Sequence, residues 1–124
     1  MKAPEVLIVD DEEDICMLAG MILKNIGVAS VCVHTVSYAL IEVEKKEFPI
    51  ILLDNHLPDG FGIDHIAAIK EKSPRSKIVI VTAYDDIGEK ALEKGADYFM
   101  SKPFSKEKIQ NIVSQFLVDS WTQA

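Results

Sequence analysis

The stretch IILLDNHLPDG, residues 50–60, runs four apolar residues, Ile50 to Leu53, straight into the carboxylate of Asp54. Pro58, Asp59 and Gly60 then break regular structure. Proline fixes φ and glycine is free to take positive φ, so these three fit a tight turn that shapes the loop beside Asp54 without chemistry of its own. A strand that ends on an acid is either stopping at the surface or delivering a reactive group to the rim of a sheet. The rest of the chain separates the two.

Five short apolar runs punctuate the sequence: Val6 to Val9, Val28 to Val33, Ile50 to Leu53, Ile78 to Val81, and Tyr98 to Met100. Three of them are nearly continuous and rich in β-branched residues, as strands buried on both faces of a parallel sheet are. Helical patterns lie between the runs. Ile15, Leu18, Ala19, Ile22 and Leu23 follow i, i+3, i+4 spacing, with Gly27 placed to end the helix. Ser37 can cap a second helix that turns Ala39, Leu40 and Val43 inward. Ile63, Ile66 and Ala67 mark a third, and Ile87, Ala91 and Leu92 a fourth that Gly95 closes. Ser105 can cap the last, whose face is Ile109, Ile112, Val113, Phe116 and Leu117. Strand and helix alternate five times, which predicts a doubly wound α/β sandwich, because each right-handed crossover lays a helix over one face of the sheet.

With 124 residues the chain suits a single domain, its core running from about residue 5 to 118. Residues 119–124, with Trp121, form a short tail or the start of a linker. The net charge of −7 argues against direct nucleic-acid binding, which needs a basic face to displace counterions. It leaves room for an acidic pocket that holds a divalent cation. Cys16 and Cys32 each fall among apolar residues and read as separate buried thiols. The opening residues lack a signal peptide's apolar region, and no stretch approaches the ~20 apolar residues of a membrane span. A reducing cytoplasm is the simplest home.

In open parallel sheets, ligands sit beyond the carboxyl ends of the strands. After the first predicted strand come Asp10-Asp11-Glu12-Glu13-Asp14, after the third Asp54, after the fourth Thr82, and after the fifth Ser101-Lys102-Pro103. Each has an ordinary reading. Asp10 or Asp11 can cap the first helix, Asp54 can be a solvated strand end, Thr82 can cap the fourth helix, and Lys102 can be a surface lysine. Their joint placement at consistent ends of consecutive strands favours one shared rim. Clustered carboxylates suit a hard, oxygen-seeking cation such as Mg²⁺. A carboxylate can act as a nucleophile that forms an aspartyl-phosphate. A metal, a lysine and a hydroxyl would neutralise the charge spread over the phosphoryl oxygens.

Taken together, VLIVDDEEDI, IILLDNHLPDG, IVIVTAY and GADYFMSKPF resemble the four signatures of response-regulator receiver domains, the CheY-like family. The resemblance runs from about Val6 to Leu117. It implies a five-stranded parallel sheet in the order 2-1-3-4-5 flanked by five helices. It implies Asp54 as the phosphoacceptor, taking a phosphoryl group from the phosphohistidine of a sensor kinase or a histidine phosphotransfer protein. Such a domain is not a conventional enzyme, but it catalyses its own phosphorylation and dephosphorylation. Asp10, Asp11, Asp54 and the backbone carbonyl of His56 would hold Mg²⁺, for which Mn²⁺ or another divalent cation can substitute. Thr82 and Lys102 would bind phosphate oxygens, and the Lys102–Pro103 bond resembles a cis peptide of the family.

The same resemblance makes Thr82 and Phe99 a switch. Phosphate draws the hydroxyl inward, and the aromatic on the fifth strand turns into the cavity behind it. Many relatives carry tyrosine there. Phe99 has no hydroxyl, so its switching would be steric, and Tyr98 should face the other way. The readout surface would be the fourth helix, fifth strand and fifth helix, facing an output domain, a target protein or a second copy. His56 and Tyr84 occupy positions that influence phosphate lifetime in the family, and an ordinary rim location is the other reading of each. His34 reads as a strand-end residue and His65 as helix surface.

Three rivals compete. A nucleotide or flavin binder would want a glycine- or hydroxyl-rich phosphate loop after the first strand, where this chain places five acids. A phosphatase with an aspartate nucleophile commonly carries a second acid two residues on, where His56 stands. A receiver-like interaction module that is not phosphorylated would be expected to lack a key residue, and Asp10, Asp11, Asp54, Thr82 and Lys102 are all in place.

Overall fold

The predicted strands pair side by side. β1 (Glu5–Val9), β2 (Ala29–Val33), β3 (Ile50–Asp54), β4 (Lys77–Thr82) and β5 (Tyr98–Ser101) form one sheet in the order β2-β1-β3-β4-β5. Every neighbouring pair is parallel. The computed structural model describes residues 4–83 and 87–122, with side chains through residue 118. Ile8 sits between Cys32 and Leu52, Leu53 faces Ile80, and Thr82 faces Ser101. In β1 and β4 only the first residue escapes full burial, and β3 is buried throughout. The edge strands β2 and β5 keep partial exposure.

Alternate residues feed two cores. Val6, Ile8, Ile50, Leu52, Val79, Val81 and Met100 pack under α1 (Glu13–Lys24) and α5 (Lys106–Thr122). Leu7, Val9, Ile51, Leu53, Ile78 and Ile80 pack under α2 (Val36–Lys45), α3 (Ile66–Lys72) and α4 (Gly88–Glu93). Successive strand side chains point to opposite faces, so an unbroken apolar run serves both layers. Among the described residues, no helix is long and apolar enough to cross a membrane.

Helix ends and phases differ in places from expectation. Gly27 and Gly95 do take positive φ, 76° and 109°, just past α1 and α4. Ser105 caps α5, its hydroxyl accepting from the Lys108 N–H at 3.1 Å. The cap of α2 is Thr35, which accepts from the Tyr38 N–H at 3.1 Å, and Ser37 instead lies inside the first turn. A residue far along the chain displaces the expected cap: the Asp59 carboxylate accepts from the N–H groups of Val36 (2.9 Å) and Ser37 (3.0 Å) and from the Ser37 hydroxyl (2.9 Å). Slight burial alone would raise the Asp59 carboxyl, but these donors outweigh it and hold Asp59 below the usual carboxylate range. The turn at Pro58-Asp59-Gly60 joins a small antiparallel ribbon, His56–Leu57 with Gly60–Phe61. Through Asp59 it ties the loop after β3 to α2.

In α1 the inward residues are Cys16, Ala19, Ile22 and Leu23, whereas Leu18 is 48% exposed. The inward stripe continues through 16, 19 and 23, so Leu18, one residue before Ala19, turns away from it. In α3 and α4, Ala67 and Leu92 are exposed, and Ile69 and Ala91 fill the core. The inward turn of Cys16 corrects the reading of two separate thiols: Cys16 and Cys32 are joined as a disulfide between α1 and β2, Cα atoms 6.0 Å apart. At the other end of the chain, α5 runs to Thr122, through the residues expected as a tail. The Trp121 side chain lies outside the described residues.

Candidate functional site

Parallel strands deliver their carboxyl ends to one rim, and the predicted residues sit there. Asp10 is one residue past β1, Asp54 is the last residue of β3, Thr82 the last of β4, and Lys102 one past β5. The Lys102 ammonium lies 3.1 Å from Asp10 Oδ2 and 3.4 Å from Asp54 Oδ1. Asp10 and Asp54 are almost wholly buried. Asp11 is exposed, yet one of its oxygens lies within 4.8 Å of a carboxylate oxygen of each of the other two aspartates. Thr82 is fully buried, and its carbonyl accepts from the Lys102 N–H at 2.8 Å, which holds the ends of β4 and β5 together at the pocket. The Lys102–Pro103 peptide is cis.

The helix-cap reading of Asp10 is half right. Its Oδ1 accepts from the Glu12 N–H at 2.9 Å, at the start of α1, while its Oδ2 meets Lys102. Burial is the strongest influence on Asp54, and repulsion from Asp10 comes next. Both raise its carboxyl, Lys102 and the His56 N–H pull it down, and it settles at about 6 rather than 3.8. Burial also works against the Lys102 charge, but its hydrogen bond to Asp10 and the attraction of Asp54 win, so Lys102 holds its proton more tightly than a free lysine.

Two residues that the sequence reading passed over hold Asp54 in place. Asn55 is fully buried. Its N–H donates to the Val81 carbonyl (3.0 Å), its carbonyl accepts from Gly62 (2.8 Å), and its side-chain oxygen accepts from the Ile63 N–H (3.1 Å). A Cβ on Gly62 would stand 2.6 Å from the Asp54 carbonyl oxygen and 3.0 Å from Leu53 Cγ. That obstacle is backbone and cannot swing aside. Gly62→Ala should therefore destabilise the fold by about 1–3 kcal/mol in denaturant titrations and shift Asp54 itself. Wild-type stability in that variant would show that the loop does not press on Asp54. Nothing in the local sequence marks Gly62, because a close approach of two backbones shows only in three dimensions.

Phe99 is half-buried against the core under α4. Its ring fills the space left by the missing side chain of Gly88, where a Cβ would stand 2.4 Å from Phe99 Cζ. The ring of Tyr98 lies nearly parallel to it with centroids 6.4 Å apart. His56 keeps its imidazole exposed, edge-on to Phe61 at 5.4 Å. Tyr84 falls outside the described residues. His65 is half-buried in the 3-10 turn before α3, with Nε2 close to Gly60. His34 is more than a bare strand end: its Nδ1 lies 2.8 Å from the Asp10 carbonyl oxygen and its Nε2 3.1 Å from the Glu13 carboxylate.

The arrangement offers a nucleophilic carboxylate, two further acids suited to a hard cation, and a lysine placed to meet an anion. The chain is also similar to known proteins. The family model for the response regulator receiver domain matches residues 6–114. The response regulator protein PilR of Pseudomonas aeruginosa is 31% identical over 119 residues, which cover 94% of this chain and 27% of PilR. The solution structure of a beryllofluoride-activated NtrC4 receiver domain dimer superposes with a TM-score of 0.87 at 36% identity, covering 94% of this chain and 98% of that one. The crystal structure of a CheY-like receiver domain protein from Methanospirillum hungatei JF-1 superposes with a TM-score of 0.92 at 25% identity, over 99% of this chain and 100% of that one. The chain spans between a quarter and a half of the length of the curated relatives it matches.

Proposed function

Because the chain belongs to the response-regulator receiver family of two-component signalling, we propose that residues 5–118 form one receiver domain that accepts a phosphoryl group on Asp54. The observation that carries this reading is Lys102 set 3.1 Å from Asp10 and 3.4 Å from Asp54, with both acids buried. An Asp54 oxygen attacks the phosphorus of a phosphohistidine. The O–P bond forms, the P–N bond breaks, and the imidazole nitrogen leaves with the electron pair. A carboxylate raised to about 6 is more basic than an ordinary aspartate and is still mostly ionised at neutral pH. The Lys102 ammonium then moves its pairing from Asp54 to a phosphoryl oxygen, and the Thr82 hydroxyl donates to another.

Three clustered carboxylates, two of them paired with the one lysine, carry excess negative charge, which fits a divalent ion with a taste for oxygen. Asp10, Asp11, Asp54 and the His56 carbonyl would hold Mg²⁺, or Mn²⁺ in its place. When bound, the ion supplies charge neutralisation for the transferring oxygens.

The phosphate adds ~1.5–2 negative charges at the rim. Thr82 responds, Phe99 turns against it, and the change reaches the surface of α4, β5 and α5, where Leu92 and Tyr98 are exposed. The donor would be a sensor histidine kinase or a histidine phosphotransfer protein in the cytoplasm. The reader would be an output domain, a separate target, or a second copy docked through α4-β5-α5. His56 and Tyr84 would tune the phosphate lifetime. Incubation with acetyl phosphate and Mg²⁺, followed by intact mass measurement, should add one phosphoryl group, and chelating the metal should prevent it. A chain that stays unlabelled with Mg²⁺ present would refute the reading.

A further inference from the structure

A second set of metal-ligating side chains meets the pocket at the backbone of Asp10. Cys16 on α1, Cys32 on β2 and His34 just past β2 each bring one ligand atom to within 4.8 Å of the others. The Asp10 carbonyl oxygen joins this cluster to the acidic pocket, being 2.8 Å from His34 Nδ1 and 3.5 Å from Cys16 Sγ. Cys16 is buried, Cys32 is half-buried, and the His34 side chain is 47% exposed, so the cluster opens to solvent on the histidine side.

We propose that, once the Cys16–Cys32 disulfide is reduced, Cys16, Cys32 and His34 bind a zinc ion. Two thiolates and an imidazole make up three positions of a tetrahedral zinc site. The contact between His34 and the Asp10 carbonyl orients the ring in the way that carbonyls orient ligating histidines. Water or the Glu13 carboxylate, 3.1 Å from His34 Nε2, supplies the fourth position. The two neighbouring sites then sort ions by hardness. The all-oxygen pocket suits Mg²⁺, and the sulfur-nitrogen cluster suits a softer ion.

Reduction by a thiol of the cell breaks the S–S bond with two electrons and two protons, and the reductant leaves as its own disulfide. Zinc then displaces the two thiol protons. A phosphine does the same in vitro: it takes oxygen from water to become its oxide, and both cysteines emerge as thiols. A reducing compartment would keep the pair open to metal.

The test is a titration of the phosphine-reduced, metal-free chain with Co²⁺ and then Zn²⁺. One equivalent of Co²⁺ should produce thiolate-to-cobalt charge-transfer bands in the near ultraviolet and tetrahedral bands in the visible. Zn²⁺ should bleach both, and excess Mg²⁺ should leave them. The oxidised chain should show neither. Cys16→Ser and Cys32→Ser should lose the charge-transfer bands, and His34→Ala should weaken Co²⁺ binding by at least about tenfold. A reduced wild-type chain with native circular dichroism, two titratable thiols and no charge-transfer band would overturn the proposal. So would bands that persist in the double serine variant.

Discussion

Lys102→Met should be the most damaging single change in this protein. Lys102 stands between two buried carboxylates, at 3.1 Å from Asp10 and 3.4 Å from Asp54, and its own side chain is 17% exposed. Removing one partner of a buried pair leaves uncompensated charge and typically costs ~3–5 kcal/mol. Asp54 can limit that loss by taking up a proton, so the cost should shrink in mild acid and approach about 3 kcal/mol at pH 8 in metal-free buffer. The same ammonium is proposed to meet the phosphoryl oxygens. Its loss should slow labelling from acetyl phosphate by ~10²-fold or more, the usual effect of removing one charge-stabilising donor. Urea denaturation and the initial rate of mass gain measure the two separately. A variant close to wild type in both would mean that Lys102 is an ordinary surface lysine after all.

Asp54→Asn should do the opposite to stability. The folded Asp54 carboxyl keeps its proton up to about pH 6, whereas an unfolded aspartate loses it near 3.8. Between those values the folded chain binds more protons than the unfolded one. Stability is therefore fully present below 3.8, falls as pH rises through the window to about 6, and stays lower above it. Asparagine cannot ionise and escapes that loss. Below pH 3.8 the two proteins should be about equally stable, and by pH 8, without metal, the variant should lead by ~2–3 kcal/mol. Added Mg²⁺ should narrow the gap, since it binds only the folded wild-type acids well. A gap that is constant from pH 3.5 to 8 would show that the shift of Asp54 has been misread.

The pocket was readable because strand ends are a one-dimensional property. An acid, a hydroxyl or a lysine that directly follows a buried apolar run must lie on the rim, and parallel connections put every such end on the same side. Asp10, Asp54, Thr82 and Lys102 needed nothing more. What escaped depends on contacts between distant segments. Ser37 is a reasonable cap in its own neighbourhood, but the Asp59 carboxylate, 22 residues later, takes the helix N–H groups and leaves the cap to Thr35. Leu18 fitted the apolar spacing of α1, yet the helix turns Cys16 to the sheet instead, and with it comes the pairing to Cys32. Gly62 and Gly88 matter for what stands against them, the Asp54 backbone and the Phe99 ring, and no local pattern records that. His34 reads as a plain strand end because its partners, the Asp10 carbonyl and the Glu13 carboxylate, are reached only through the fold.

The most direct measurement is the location of the phosphoryl group. Labelled protein treated with borohydride converts an aspartyl-phosphate to homoserine, and peptide mass spectrometry reads the position. Homoserine is expected at residue 54, in Mg²⁺-treated wild type alone, with Asp54→Asn unlabelled. Homoserine at Asp10 or Asp11, or an undiminished mass gain in Asp54→Asn, would contradict it.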